Sequence, residues 1–218
     1  MITRLLIALN VLAYIWEIRV GGLGMLSAFG GGDVDRIVQA GALAPIQVTR
    51  DGEWWRIFTS AFLHGGLLHI TLNMLSLYVL GRFVEAMMGS FRMLLVYMIS
   101  LVAAGLGVVY FSDPNFPTLG ASGAIFGLFG ALFAIGFKLG RPGMQLVKDN
   151  LGILALNLIL TFTIPAISKA AHVSGLIAGF ITTFLIFYPR RPVQPVVVDA
   201  STGNELETEY EAPQQPRT

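Results

Sequence analysis

The stretch GASGAIFGLFGALFAIGFK, residues 120–138, carries no ionisable side chain before its last position. From Ala121 to Lys138 it approaches the ~20 residues that a helix needs to cross the hydrocarbon core of a bilayer. In lipid, backbone N–H and C=O groups must be satisfied within the segment, so an apolar run of this length predicts a helix. A serine stands near its start, and Gly123, Gly127 and Gly130 open it to close contact with a neighbouring helix.

The rest of the chain has the same character. Of 218 residues, 55% are hydrophobic and only 12% are charged, against roughly 25% charged in soluble domains. Mean hydropathy is +0.71. Too little polar surface remains to cover a soluble globule of this size. The composition excludes a soluble single-domain enzyme, a disordered chain and a nucleic-acid binder, and a net charge of +1 supplies no field for polyanions. With no cysteine, neither a disulfide nor a thiolate metal site exists. The expected fold class is an all-α membrane protein of six transmembrane helices. The spans cover about Thr3–Val20, Leu67–Phe83, Phe91–Phe111, Ala121–Lys138, Leu151–Ile167 and Ala170–Tyr188.

Arg4 before an apolar run resembles a signal peptide, but Asn10, Trp16, Glu17 and Arg19 interrupt its end and no prompt cleavage site follows, so the first segment reads as a span. Six spans put both termini on one side. That side holds Arg4, Arg82, Arg92, Lys138, Arg141, Lys148, Arg190, Arg191 and Arg217; the other holds Arg19, Arg36, Arg50, Arg56 and Lys169. The excess of basic residues predicts cytoplasmic termini in a multi-pass membrane protein. Residues 21–66 form a long external loop, rich in glycine yet carrying Trp54-Trp55-Arg56, which suits an element at the membrane surface. Residues 189–218 turn acidic and rich in Pro and Gln, the composition of a disordered tail outside the 1–188 domain.

Polar side chains inside the spans are few, and each needs a reason. His69 and Asn73 are four apart on the second span, with His64 at its entrance. Ser122 opens the fourth span, and His172 stands near the start of the sixth, followed by Gly175 and Gly179. These three spans all enter from outside, so the four polar groups share one shallow layer. Gly123 with Gly127, and Gly175 with Gly179, offer small-residue faces through which the fourth and sixth spans can pack. Such packing brings Ser122 within reach of His172, as for an activated nucleophile and its base. Singly, these residues have plainer readings. A membrane-helix serine usually bonds its own i−4 carbonyl, a His–Asn pair can clasp two helices, and paired tryptophans anchor at an interface. Their convergence at one depth is harder to ascribe to packing.

The motifs together resemble the rhomboid family of intramembrane serine proteases. The matching stretches are Glu53-Trp54-Trp55-Arg56, His64-x4-His69-x3-Asn73, Gly120-Ala121-Ser122-Gly123, and Ala171-His172-x2-Gly175-x3-Gly179. The resemblance covers residues 1–188. It implies that Ser122 is the nucleophile and His172 the general base and acid. His69, Asn73 and the Ser122 backbone N–H are the implied oxyanion donors. Gly120 would let the scissile backbone approach, with Trp55, Arg56 and Glu85 in structural positions. A family tyrosine that stacks on the catalytic histidine is replaced here by Phe126, which keeps the stacking and drops the phenol.

The expected activity is hydrolysis of transmembrane segments of other membrane proteins near the outer face of the bilayer. The spans offer no Asp or Glu to orient His172, so a Ser-His dyad is expected, the ring held by Phe126. No cofactor and no metal are expected, since His64 and His69 are five apart and lack the His-Glu-x-x-His pattern. The partners are substrate transmembrane proteins and the lipid bilayer, not nucleic acid. An inactive, client-binding rhomboid-like protein is the alternative. A transporter is disfavoured by the apolar inner halves of the spans.

Overall fold

The computed structural model describes residues 1–165 and 167–189, and the backbone of 197–198 and 205–206. Residues Met1–Tyr188 form one compact unit. Its helices are α1 (Ile2–Gly21), α2 (Val34–Gly41), α3 (Pro45–Thr49), α4 (Arg56–Thr59), α5 (Leu67–Ser76), α6 (Arg82–Met88), α7 (Ser90–Phe111), α8 (Ser122–Leu139), α9 (Arg141–Thr163) and α10 (Lys169–Ile186). A π-helical turn, Leu77–Gly81, joins α5 to α6 in one continuous rod.

Among the described residues, five helices are long and apolar enough to cross a membrane: Leu67–Met88, α7, α8, α9 and α10. At 20 residues α1 is also long enough, but each of its 18-residue windows contains Arg4, Glu17 and Arg19, which sets it apart from the five. The fifth span departs most from the apolar run Leu151–Ile167. Its helix begins at Arg141 and ends at Thr163. Gly140 turns the chain at φ 66° and Pro142 starts the helix, as its fixed φ allows. Gln145, Lys148, Asp149 and Asn150 then fill the first turns with polar groups that hydropathy alone assigns to a loop.

The helix directions follow from the glycine contacts. A Cβ at Gly175 would meet the carbonyl of Gly123, and one at Gly179 the carbonyl of Gly127. The partners advance together, so α8 and α10 run parallel with their backbones in contact. Gly123 faces Ala104, while Gly127 faces Ser100, so α7 runs antiparallel to α8. Within its hydrophobic window α8 is 72% buried, against 17% for α9, which makes α8 the central helix and α9 a peripheral one.

Residues 22–66 carry α2, α3, α4 and two 3-10 turns where a long loop is expected. These pieces are too short for hydrophobic periodicity to reveal. Asp33 caps α2 by accepting from the Arg36 N–H, and Arg56 closes its other end. The Arg56 guanidinium donates to the carbonyls of Val38 (3.0 Å), Ala42 (2.9 Å) and Gln39 (3.2 Å), and to Glu53 Oε2 at 2.5 Å. Its Cζ also lies 4.6 Å from the centre of the Trp55 ring.

At the far end of the rod, Glu85 takes the place of an N-cap for α1. Its carboxylate accepts from Ile2 N (2.7 Å), Thr3 N (3.2 Å), Thr3 Oγ1 (2.6 Å) and Ser90 Oγ (2.6 Å). The tail expected from 189 onward falls mostly outside the described residues. Its described part is an antiparallel pairing of Val197–Val198 with Glu205–Leu206.

Candidate active site

Ser122 is the first residue of α8, and His172 lies in the first turn of α10. Parallel packing through the glycine faces puts both at the same end. Ser122 Oγ and His172 Nε2 are 2.7 Å apart, a short hydrogen bond between helices 50 residues apart in sequence. Phe126, one turn after Ser122, lies flat on the imidazole, with ring centres 4.0 Å apart and 13° between planes. Ser122 is half-buried, whereas His172 and Phe126 are buried.

The connection leading into Ser122 is held by the region before α5. Leu43 and Thr118 exchange two backbone hydrogen bonds of 2.9 Å, and Ile46 N donates to Pro114 O at 3.0 Å. Gly120 N donates to Ser60 O at 2.8 Å. Gly120 itself has φ 123°, a conformation that strains any side chain, and a Cβ there would strike the His69 ring at Cε1 and Nε2. The His69 imidazole therefore lies against the backbone two residues before Ser122.

His69 Nδ1 accepts from the Gly65 N–H at 3.3 Å. A neutral imidazole that accepts at Nδ1 carries its proton on Nε2, so the nitrogen beside Gly120 is a donor. Asn73 is buried, and its amide donates one bond to His69 O at 2.9 Å, leaving its second N–H for another acceptor. The Ser122 N–H is among the first amides of α8, which have no acceptor within their own helix. Among the described residues neither His69 nor Asn73 bonds Ser122 directly.

His64 packs behind these groups. Its ring sits edge-on to His69, 5.1 Å between centres, and Nδ1 pairs with Phe62 O at 3.2 Å. Its backbone N–H donates to both carboxylate oxygens of Glu17 at 3.0 Å. Burial, with His69 close by, pushes the His64 imidazole down to about 3, so it is neutral in ordinary buffers. Glu17 thus fixes the start of the second span from α1. In the sequence it reads only as an interruption of an apolar run, because a backbone N–H 47 residues away leaves no pattern.

Thr161 is a second residue that motif reading passes over. It is buried on α9, and its Oγ1 lies 2.8 Å from His172 Nδ1 and 2.7 Å from Asn157 O. The available signal was a hydroxyl one turn after Asn157 in a mostly apolar stretch. Among the described residues, no group of three His, Cys, Asp or Glu converges to hold a metal ion.

A serine and a histidine thus meet in hydrogen-bond contact at the mouths of parallel helices, with the His69 donor nearby, the geometry that an activated serine would require. Residues 51–189 match the Rhomboid domain, and the chain belongs to the rhomboid family. It is 34% identical over 192 residues to Rhomboid protease GluP of Bacillus subtilis (strain 168), covering 86% of this chain and 35% of GluP. It is 38% identical over 137 residues to Putative rhomboid protease YdcA of the same organism, covering 62% of this chain and 68% of YdcA. Rhomboid protease GlpG of Yersinia pestis (strain Pestoides F) is 36% identical over 133 residues, with 60% of this chain and 47% of GlpG aligned. The chain therefore spans about a third of GluP and about half of GlpG. Family and apolar helices together define an integral, multi-pass membrane protein.

Proposed function

We propose that this protein is an intramembrane serine endopeptidase that cleaves transmembrane segments of other membrane proteins near the outer face of the bilayer. The observation that carries this reading is the 2.7 Å contact between Ser122 Oγ and His172 Nε2, with the imidazole clamped by Phe126. The relatives GluP and GlpG are named as rhomboid proteases, which supports peptide hydrolysis as the chemistry.

In the proposed mechanism, Ser122 Oγ attacks the scissile carbonyl carbon as His172 Nε2 takes its proton. The C–O bond forms, and the carbonyl π electrons move onto oxygen. The Ser122 N–H, the His69 Nε2–H and the free Asn73 amide N–H receive that oxyanion, each such donor being worth roughly 10²–10³ in rate. As the tetrahedral intermediate collapses, the C–N bond breaks and His172 gives its proton to the leaving amine. Water, deprotonated by His172, then attacks the acyl-enzyme, and Ser122 leaves with the proton restored. The substrate helix must unwind locally to present its carbonyl, so small or helix-weakening residues are expected around the cut.

α1 is proposed as a sixth span: its 20 residues reach about 30 Å at 1.5 Å per residue, and its charges lie near its ends. Termini on the cytoplasmic side follow from the distribution of Lys and Arg. Reconstitution with a single-span model substrate tests the activity. Wild type cleaves it within or beside its membrane segment, and Ser122→Ala does not. Equal cleavage by both contradicts the reading, and no cleavage by either favours an inactive, client-binding rhomboid-like protein.

A further inference from the structure

Resting on the protease reading, we propose that Thr161 is a positioning residue that holds His172 in the tautomer its base role requires. A hydroxyl has one proton to give. Thr161 Oγ1 contacts two groups, the Asn157 carbonyl at 2.7 Å and His172 Nδ1 at 2.8 Å. The carbonyl can only accept, so the hydroxyl proton goes to it. His172 Nδ1 must then be the donor in the second contact. In a neutral imidazole this leaves Nε2 without a proton, facing the Ser122 hydroxyl at 2.7 Å.

The chain therefore runs in one direction: Ser122 O–H to His172 Nε2, His172 Nδ1–H to Thr161 Oγ1, Thr161 O–H to Asn157 O. Bonds aligned in this way polarise one another. When His172 takes the serine proton, the Nδ1–H bond becomes charge-assisted and strengthens. Among the described residues no Asp or Glu bonds His172. A backbone carbonyl of α9, reached through the threonine hydroxyl, takes the orienting place that a carboxylate fills in a triad. Thr161 is completely buried, so water does not compete for the ring nitrogen. The device also ties the base to α9, the most exposed of the five long helices. Moving α9 away from α10 removes the acceptor from Nδ1.

The test uses the full chain in detergent micelles, labelled with nitrogen-15 histidine. Only three histidines are present, and comparison with His172→Gln assigns the signal. Wild type and Thr161→Ser are expected to carry the His172 proton on Nδ1. Thr161→Val, close in shape but without the hydroxyl, is expected to shift toward the Nε2–H form. On a model transmembrane substrate, Thr161→Val is expected to lower kcat about five- to tenfold with KM little changed, as for loss of one buried hydrogen bond. Thr161→Ser is expected to recover most of that loss. An Nε2–H tautomer in wild type, an unchanged tautomer in Thr161→Val, or unchanged kcat in that variant overturns the proposal. A wild type that carries the Nδ1–H form and neither cleaves nor reacts with a serine probe overturns the protease reading instead, while the spectra still decide the role of Thr161.

Discussion

The Phe126 ring lies on the face of the His172 imidazole, 4.0 Å between centres, and comes from the same helix that presents Ser122, one turn further on. Ser122 and the ring that supports His172 are thus set by one rigid element. Phe126→Leu should lower kcat by roughly two- to tenfold, the equivalent of an aromatic stacking contribution of ~0.5–1.5 kcal/mol. Phe126→Tyr should keep most of the activity. Turnover of a model substrate by both variants checks this, and an unaffected Phe126→Leu contradicts it.

The alignment of Ser122 with His172 depends on Gly175 resting against Gly123. Gly175→Ala places a methyl group on a backbone carbonyl that cannot move aside, so the helices must part. The expected cost is about 1–3 kcal/mol, read by thermal unfolding in detergent, together with loss of activity. Gly152→Ala on α9 is the control. Open space surrounds that position, and stability should hold or rise slightly.

Arg56 is buried and closes α2 with three carbonyl contacts and one carboxylate. Arg56→Ala leaves the Gln39 and Ala42 carbonyls without the guanidinium donor, while Val38 O keeps the Ala42 N–H, and should cost about 3 kcal/mol. Arg56→Lys should recover little, because an ammonium cannot span the fork that the guanidinium fills. Unfolding midpoints of the two variants, and proteolytic nicking between residues 22 and 66, report the effect.

His64 gives a pH signature. Its folded form is held at about 3 by burial beside His69, below the ordinary histidine value of 6.5. The unfolded chain therefore binds the proton first. The stability due to neutral His64 is complete above pH 6.5 and is lost as pH falls toward 3. The slope is at most about 1.4 kcal/mol per pH unit for one proton. His64→Leu should flatten the acid limb of a stability-against-pH curve by up to that amount between pH 6 and 4. Identical limbs in the two proteins contradict the assignment.

What the sequence made legible was whatever local chemistry dictates. Apolar runs predict Ser90–Phe111 and Lys169–Ile186 almost to the residue, because lipid demands internally bonded helices. Glycines four apart mark the α8–α10 contact, and Ser122 and His172 lie on the sides of those helices that the contact brings together. Less visible was anything decided by tertiary partners. Thr161 bonds its i−4 carbonyl as a threonine in any membrane helix would, and only the neighbouring helix shows its second contact, with His172 Nδ1. The start of α9 was hidden because its first turns are polar. The helices between residues 22 and 66 were hidden because eight, five and four residues are too few to establish a period.

The proposed activation of Ser122 by His172 toward an acylating carbonyl is tested most directly by covalent labelling with a fluorophosphonate. Wild type in liposomes should be labelled at a single site, mapped to Ser122, with no labelling of Ser122→Ala. His172→Ala should react at least about a hundredfold more slowly, the usual contribution of a positioned general base. Undiminished labelling of Ser122→Ala, or a His172→Ala rate equal to wild type, would contradict the account.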